Sequence, residues 1–319
     1  MTFIHFIGID VSKNWFDVAL DGDTAKPMQF SNDEAGFAAF KEQFSPQLPQ
    51  ALVVCEATGG YEMALIRYLM AHNCSIHRAT PLMVKNFIRS LSQKAKTDAL
   101  DAKSLARFAK DRHADLPLFV LSDEKQTEFN ALLMRRADLI AMRVAEKNRS
   151  KQPRYTEAAP KIGASVRAML GFIEADIADI EARLDALVKQ SEPLKARFEI
   201  LTQMKGVAKI SAYNLQALIP ELGTLTRKTA ASLAGCAPFA RDSGTGRGYR
   251  STFGGRAGLK RTLFMIAMTA RRFNTQLKEF YEKLVANGKK KMVALVAVMR
   301  KIIVILNAKL KITNPQTTW

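Results

Sequence analysis

Four carboxylates define the chemistry open to this chain. Asp10 closes the apolar run FIHFIGID, Glu56 closes ALVVCE, and Asp98 and Asp101 stand three residues apart in KTDALDAK. On a helix that spacing puts Asp98 and Asp101 side by side on one face, where they repel unless a cation lies between them. Mg²⁺ suits such a set because it is hard, takes oxygen ligands and keeps several waters. With Asp10 and Glu56 supplied from strand ends, four carboxylates could hold two ions about 4 Å apart against a phosphodiester, orienting the nucleophile and stabilising the leaving oxygen. Alone, Asp98 and Asp101 read as a solvated helix face; beside Asp10 and Glu56 they read as part of a metal site. Lys94 and Lys96 precede the pair and would balance its charge or touch phosphate. The competing acids are expected elsewhere: Asp17 facing water on a second strand, Asp21 near the first strand, and Glu62 on the exposed face of the helix after Gly60.

A second constellation lies far along the chain, in ARDSGTGRGYRSTFGGRAGLKRTL. Glycines there alternate with Arg241, Arg247, Arg250, Arg256, Lys260 and Arg261, and Ser243 sits among them. A serine hydroxyl is a weak nucleophile until a base, a metal or nearby cations lower the cost of its alkoxide. Glycines let backbone approach a phosphate closely, and arginines stabilise developing negative charge. Two readings stay open on these residues: a nucleophilic Ser243, or a phosphate-binding loop with an incidental serine.

The elements that must position these groups follow from periodicity. Phe3–Asp10 is a short apolar run, and Trp15–Leu20 and Pro27–Phe30 can pair with it around the polar turn Asp21–Asp23. Ser31–Glu34 offers an N-cap with acids in the first turn of a helix running to about Phe44. Ala51–Cys55 reads as a buried strand, Gly59-Gly60 as a break, Tyr61–His72 as a helix, and Ser75–Ala79 as a further strand ended by Pro81. Three meandering strands, a helix, then β-α-β is the order of an RNase H-like fold.

From about Asp123 to Glu199 strand signals vanish. Apolar residues recur at three- and four-residue spacing, at Leu132, Leu139 and Met142, then at Leu170, Ile173, Ile177, Ile180, Leu184 and Leu187. The intervening NRSKQPRYTEAAPKIG carries Pro153, Pro160 and Gly163, which are expected to forbid a continuous helix, so two helices form an antiparallel hairpin or coiled-coil arm. The alternative is a packed helical core of one domain. Beyond Leu201, Gly206-Val207-Ala208 reads as a tight turn between two helices, like a helix-hairpin-helix. Helical spacing returns at Leu263–Ala270 and again from Phe280 to Leu306. The expected organisation is an α/β domain over 1–120, a helical arm over 121–200 and a mainly α domain over 201–319.

Composition narrows the partner. The chain has 319 residues and a formal charge of +18, which points to a polyanion. Residues 241–319 hold 17 Lys and Arg against three acids, so +14 of the charge lies there. Three scattered cysteines, Cys55, Cys74 and Cys236, fit neither a zinc spacing nor a disulfide framework, and imply a reducing compartment. No signal peptide is read at the start, and Met292–Leu306 is too short, and too interrupted by Arg300-Lys301, to span a bilayer.

Taken together, FIGIDVSK, CEATGGYE, KTDALDAK, GCAPFARDSGTGRG and GGRAGLKRTL resemble the IS-one-ten family of insertion-sequence transposases, also called bridge-RNA-guided recombinases and similar to Piv-type DNA invertases. The likeness spans nearly the whole chain in the family's order: a RuvC-like DEDD domain, a helical arm and a C-terminal transposase domain. It implies that Asp10, Glu56, Asp98 and Asp101 bind Mg²⁺ and that Ser243 forms a covalent phosphoserine link to DNA. Ser251, eight residues on, is the fallback nucleophile. It further implies donor and target DNA, a non-coding guide (bridge) RNA that pairs with both, homodimers and homotetramers joining one subunit's tetrad to another's serine, and a cytoplasmic, nucleoid-associated setting with no membrane. The competing expectation is a Mg²⁺-dependent RuvC-like nuclease or Holliday-junction resolvase that uses water.

Overall fold

A computed structural model describes residues 2–90, 98–121, 123–156, 160–239 and 251–312, with the backbone alone at 98–100, 155, 156, 160 and 257. The chain divides into two compact units, Met1–Leu121 and Ser122–Trp319.

The first unit is built on five strands. β1 (His5–Val11), β2 (Trp15–Leu20) and β3 (Met28–Ser31) form an antiparallel meander, and β4 (Ala51–Glu56) and β5 (Ser75–Ala79) add in parallel on the other side of β1, giving the order β3-β2-β1-β4-β5. α1 (Glu34–Gln43) connects β3 to β4; Asp33 caps it, its carboxylate accepting from the Gly36 amide at 2.9 Å. α2 (Glu62–Ala71) connects β4 to β5. These two helices cover one sheet face, where Phe37, Phe40, Leu65, Ile66 and Leu69 pack on Ile7, Ile9, Phe16, Val18 and Val53. α3 (Pro81–Ser90) and α4 (Asp98–Arg112) belong to the opposite face, with Phe6, Leu52, Val54, Val84, Leu105 and Phe108 between them. Pro81, expected only to end β5, opens α3, where a missing amide costs nothing.

The second unit is helical. α5 (Glu124–Arg149) and α7 (Pro160–Gln190) lie antiparallel, with short α6 (Pro153–Thr156) near their turn. Phe129, Leu132, Leu133 and Leu139 meet Ile173, Ile177, Ile180, Leu184 and Leu187. Ion pairs Arg135–Asp176 at 3.3 Å and Arg136–Glu181 at 2.6 Å flank this seam. Toward the turn Lys147 and Glu174 pair at 3.2 Å and Val166 stays buried, while Met142, Ile162, Met169 and Phe172 are exposed. Gly163 does not break the chain as expected: α7 starts on Pro160 and carries Gly163 inside it. A helical glycine costs about 1 kcal/mol against alanine, small beside the packing of so long a helix.

α8 (Glu192–Thr202), α9 (Lys209–Leu218) and α10 (Arg227–Leu233) lead to a two-stranded ribbon, β6 (Pro238–Phe239) with β7 (Ser251–Thr252), then to α11 (Ala257–Phe273), α12 (Thr275–Ala286) and α13 (Lys291–Ile312). α13 is the spine: Leu295, Val298, Ile302, Ile303 and Leu306 are buried among the others. The α8–α9 turn needs Gly206 twice over, because its φ is +108° and a Cβ there would lie 2.9 Å from the Ala270 Cα of α11. The helical pattern read as one run from Phe280 to Leu306 is two helices, separated at Gly288 with φ +79°. No helix among the described residues is long and apolar enough to cross a membrane.

Candidate active site

Strand alternation decides which side chains of β1 and β4 reach the α4 face. Ile7, Ile9, Val53 and Cys55 point into the core beneath α1 and α2, so Phe6, Gly8 and Asp10, with Leu52, Val54 and Glu56, point the other way. Ile9 pairs with Cys55, which makes Asp10 and Glu56 the next residues on adjacent parallel strands. Both are half-buried.

α4 is set by the missing side chain of Gly8. A Cβ there would stand 2.2 Å from the Ala102 carbonyl oxygen and 2.2 Å from the Ala106 amide, so the helix lies against the β1 backbone. Its buried stripe is Ala102, Leu105, Ala106 and Ala109. The helix runs opposite to β1: near its far end Lys110 pairs with Asp21 at 2.7 Å, the Asp21 amide donates to the Phe6 carbonyl, and the Phe6 and His113 rings are 5.2 Å apart. Its first turn therefore points to the Asp10 end. Asp101 stands in that turn, half-buried, and Asp98 opens the helix. The fold thus brings Asp10, Glu56 and Asp101 to one end of the sheet and carries Asp21 to the other.

Two acids differ from expectation. Asp17 does not simply face water; it is half-buried and directly opposite Asp10 in the β1–β2 register, its carboxylate accepting from the Gln29 side-chain Nε2 at 3.1 Å. Like charges at such a pair are unfavourable and favour a cation nearby. Glu62, expected on an exposed helix face, is 0% exposed. It accepts from the Thr58 amide at 3.2 Å, the Gly60 amide at 3.0 Å and Arg78 Nε at 2.9 Å. Burial opposes its ionisation, but its own backbone amide, Arg78 and the Thr58 amide together hold the carboxyl below the ordinary value of 4.5. Glu62 is thus the hub of the turn that follows Glu56, and Arg78 stands beside Cys55 in the β4–β5 register.

No group of three or more His, Cys, Asp or Glu among the described residues is close enough to hold an ion as they stand, and the Asp98 side chain lies outside that set. Lys94, Lys96, Arg241, Ser243, Arg247 and Arg250 also lie outside the described residues. The loop that contains Ser243 is nonetheless bounded: β6 and β7 pair at its two ends, Phe239 with Ser251 and Pro238 with Thr252. Ser251 is half-buried in β7. Lys260 and Arg261 sit in the first turns of α11, the former half-buried, the latter exposed. Arg256, expected to grip phosphate, is used inside the protein instead: its guanidinium donates to Glu221 at 2.7 and 3.0 Å and to the Leu218 carbonyl at 2.6 Å.

Comparison with known proteins matches both halves of this arrangement. The family model of the DEDD transposase domain of IS110 elements matches residues 7–152, and that of the IS116/IS110/IS902 transposases matches residues 198–282. The chain belongs to the IS110 (IS-one-ten) family of transposases. It is also similar to the pilin gene-inverting proteins of Moraxella lacunata and Moraxella bovis, each 24% identical over 319 residues that cover 97% of both chains. The first IS110 match takes in the sheet from Ile7 of β1 onward, with α4 and α5; the second runs from α8 into α12 and contains the β6–β7 ribbon. As an IS110 transposase the protein is a DNA recombination enzyme.

Proposed function

We propose that this transposase cuts and rejoins DNA through a covalent serine intermediate, using a divalent ion held by Asp10, Glu56, Asp98 and Asp101 on an RNase H-like domain. The observation that carries the reading is the approach of α4 to Gly8, which directs the first turn of that helix to the ends of β1 and β4. The donor set fits Mg²⁺ in kind, since every ligand is a carboxylate oxygen and Asp17 adds a like charge opposite Asp10. When bound, such an ion neutralises charge at the scissile phosphate and orients the attacking and leaving oxygens. The strand order, a meander followed by two parallel strands joined through α2, supports the RNase H-like assignment.

In the reaction, Ser243 Oγ attacks phosphorus, the bond from phosphorus to the deoxyribose oxygen breaks, and a free sugar hydroxyl leaves. The proton lost by the serine is matched by the one gained at that hydroxyl. The phosphoserine keeps the bond energy, so a hydroxyl from a second strand reverses the step and reseals DNA without ATP. Arg241, Arg247, Arg250, Lys260 and Arg261, with Lys94 and Lys96 on the first unit, would hold the phosphates. Sequence choice is assigned to a bridge RNA paired to donor and target DNA, consistent with a charge of +18 shared among several polyanions. A dimer or tetramer would let one copy's carboxylates meet another's serine.

The test is trapping. Protein, RNA transcribed from the flanks of its gene and end-labelled DNA spanning the element's ends are incubated with Mg²⁺ and run on a denaturing gel. A labelled adduct at protein mass that is lost in Ser243→Ala and in Asp10→Asn supports the reading. Cleaved DNA without adduct, unchanged by Ser243→Ala, assigns the attack to water and overturns it.

A further inference from the structure

The feet of the Ser243 loop carry two phenylalanines that the fold leaves in water. Phe239 is 46% exposed and Phe253 is 73% exposed. Phe239 pairs with Ser251 at the loop end of the ribbon, and Phe253 directly follows Thr252, the last residue of β7, so both phenylalanines belong to the same short ribbon and its exit.

The ribbon is rigidly mounted. Gly235 follows α10, and a Cβ on it would fall 2.3 Å from the Gly254 carbonyl oxygen; one on Gly255 would fall 2.2 Å from the Gly235 amide. The Arg256 amide donates to the Leu233 carbonyl at 2.8 Å, and the Arg256 guanidinium is tied to Glu221. Exposed aromatic rings on a fixed mount, within a segment of +14, match the composition of a surface that grips backbone by charge and bases by stacking. A hydrophobic protein partner would be met by a wider apolar surface with fewer charges.

We infer that Phe239 and Phe253 form a clamp for one unpaired nucleobase of the DNA strand being cut, holding that strand beside the loop. The inference rests on the function proposed above, because it needs DNA to be opened next to Ser243. Stacking is indifferent to base identity, so the clamp would fix strand position and leave sequence choice to other parts.

The experiment uses the full-length protein and a fluorescein-labelled thymidine 12-mer with one central 2-aminopurine, in DNA and in the uridine RNA form. For the DNA strand, Phe253→Ala and Phe239→Ala are each expected to weaken binding about tenfold and to relieve quenching of 2-aminopurine. Phe253→Trp is expected to restore both, whereas Phe253→Leu is not, since leucine lacks a π face. The slope of log affinity against log salt is expected to stay unchanged, because no phosphate contact is removed. Four results would overturn the clamp: unaltered DNA binding in both alanine variants; full activity of Phe253→Leu in binding; loss confined to the RNA strand; or a change in sedimentation with DNA affinity intact, which would make the rings a contact between copies. Ser243→Ala serves as the control. If it binds and quenches normally yet wild type never forms an adduct, the serine mechanism fails and the clamp stands.

Discussion

Glu62 shows what one residue can hide. In CEATGGYE it reads as another surface acid, because its partner Arg78 lies sixteen residues away on β5 and no spacing rule joins them. Asp10 and Glu56 were legible because they close apolar runs, and strand alternation fixes their direction. Glu62→Ala leaves Arg78 without its partner and the Thr58 and Gly60 amides without an acceptor. The expected loss is about 2–4 kcal/mol by urea denaturation, toward the lower end because the Arg78 side chain is 34% exposed. Since the Glu62 carboxyl is held below 4.5, its contribution is present at neutral pH and fades as pH falls through the lowered value. The difference in stability between wild type and Glu62→Gln should therefore shrink as pH falls below the ordinary value of 4.5, and a difference that grows in acid would contradict the assignment. Arg256 and Arg261 make a second contrast at this scale. Charge pattern treats them alike, yet only Arg256 is bonded to Glu221 and Leu218. Arg256→Ala is expected to lower the melting temperature by several degrees, and Arg261→Ala to leave it unchanged while reducing the salt slope of DNA binding by about one.

At the scale of elements, the approach of α4 to β1 is the contact the proposed site depends on. Gly8 needs to be glycine for want of space, not for its backbone angles, since no side chain fits between the strand and the Ala102 carbonyl. Gly8→Val would push the helix off the sheet and carry Asp98 and Asp101 away from Asp10. Overpacking of this kind costs about 1–3 kcal/mol or more. The first unit should therefore melt earlier, and cleavage should fall further than the loss of folded protein explains, measured by circular dichroism beside the adduct assay. A variant that is destabilised yet cuts at a rate proportional to its folded fraction would show that α4 does not place the acids. Most elements of this unit were legible: alternation marks β1 and β2, an unbroken apolar run marks β4, and Asp33 marks the start of α1. α3 was not, because a proline after a strand is as good a helix opener as a chain stop. In α7, i, i+3 and i+4 spacing gave Ile173 through Leu187 their face; the expected break falls at the prolines, and Gly163 stays inside the 31-residue helix at small cost.

For the whole molecule, charge is the most legible property and the one that makes the strongest demand. A surplus of 18 positive charges opposes compaction of the free protein and is relieved when phosphates replace its counterions. The described surface offers a definite place for part of this. Lys289, Lys290 and Lys291 are all exposed at the turn from α12 into α13, where Gly288 at φ +79° reverses the chain. The prediction is a steep fall of duplex affinity with salt, about 10³- to 10⁵-fold between 50 and 200 mM if six to ten phosphates are neutralised. Replacing the three lysines together with glutamine removes up to three of those contacts. The slope of log affinity against log salt should then flatten by about two to three, and equally for unrelated DNA sequences, as fluorescence anisotropy would read it. The folded state should be unaffected, because none of the three side chains is buried. A slope that stays the same places the grip on other basic groups, such as Lys260 and Arg261 beside the serine loop, and a flattening confined to one sequence would make the turn a reader of bases. The predicted outcome, uniform weakening, is what a protein needs if its sequence choice comes from a paired guide strand and its own surface supplies only hold.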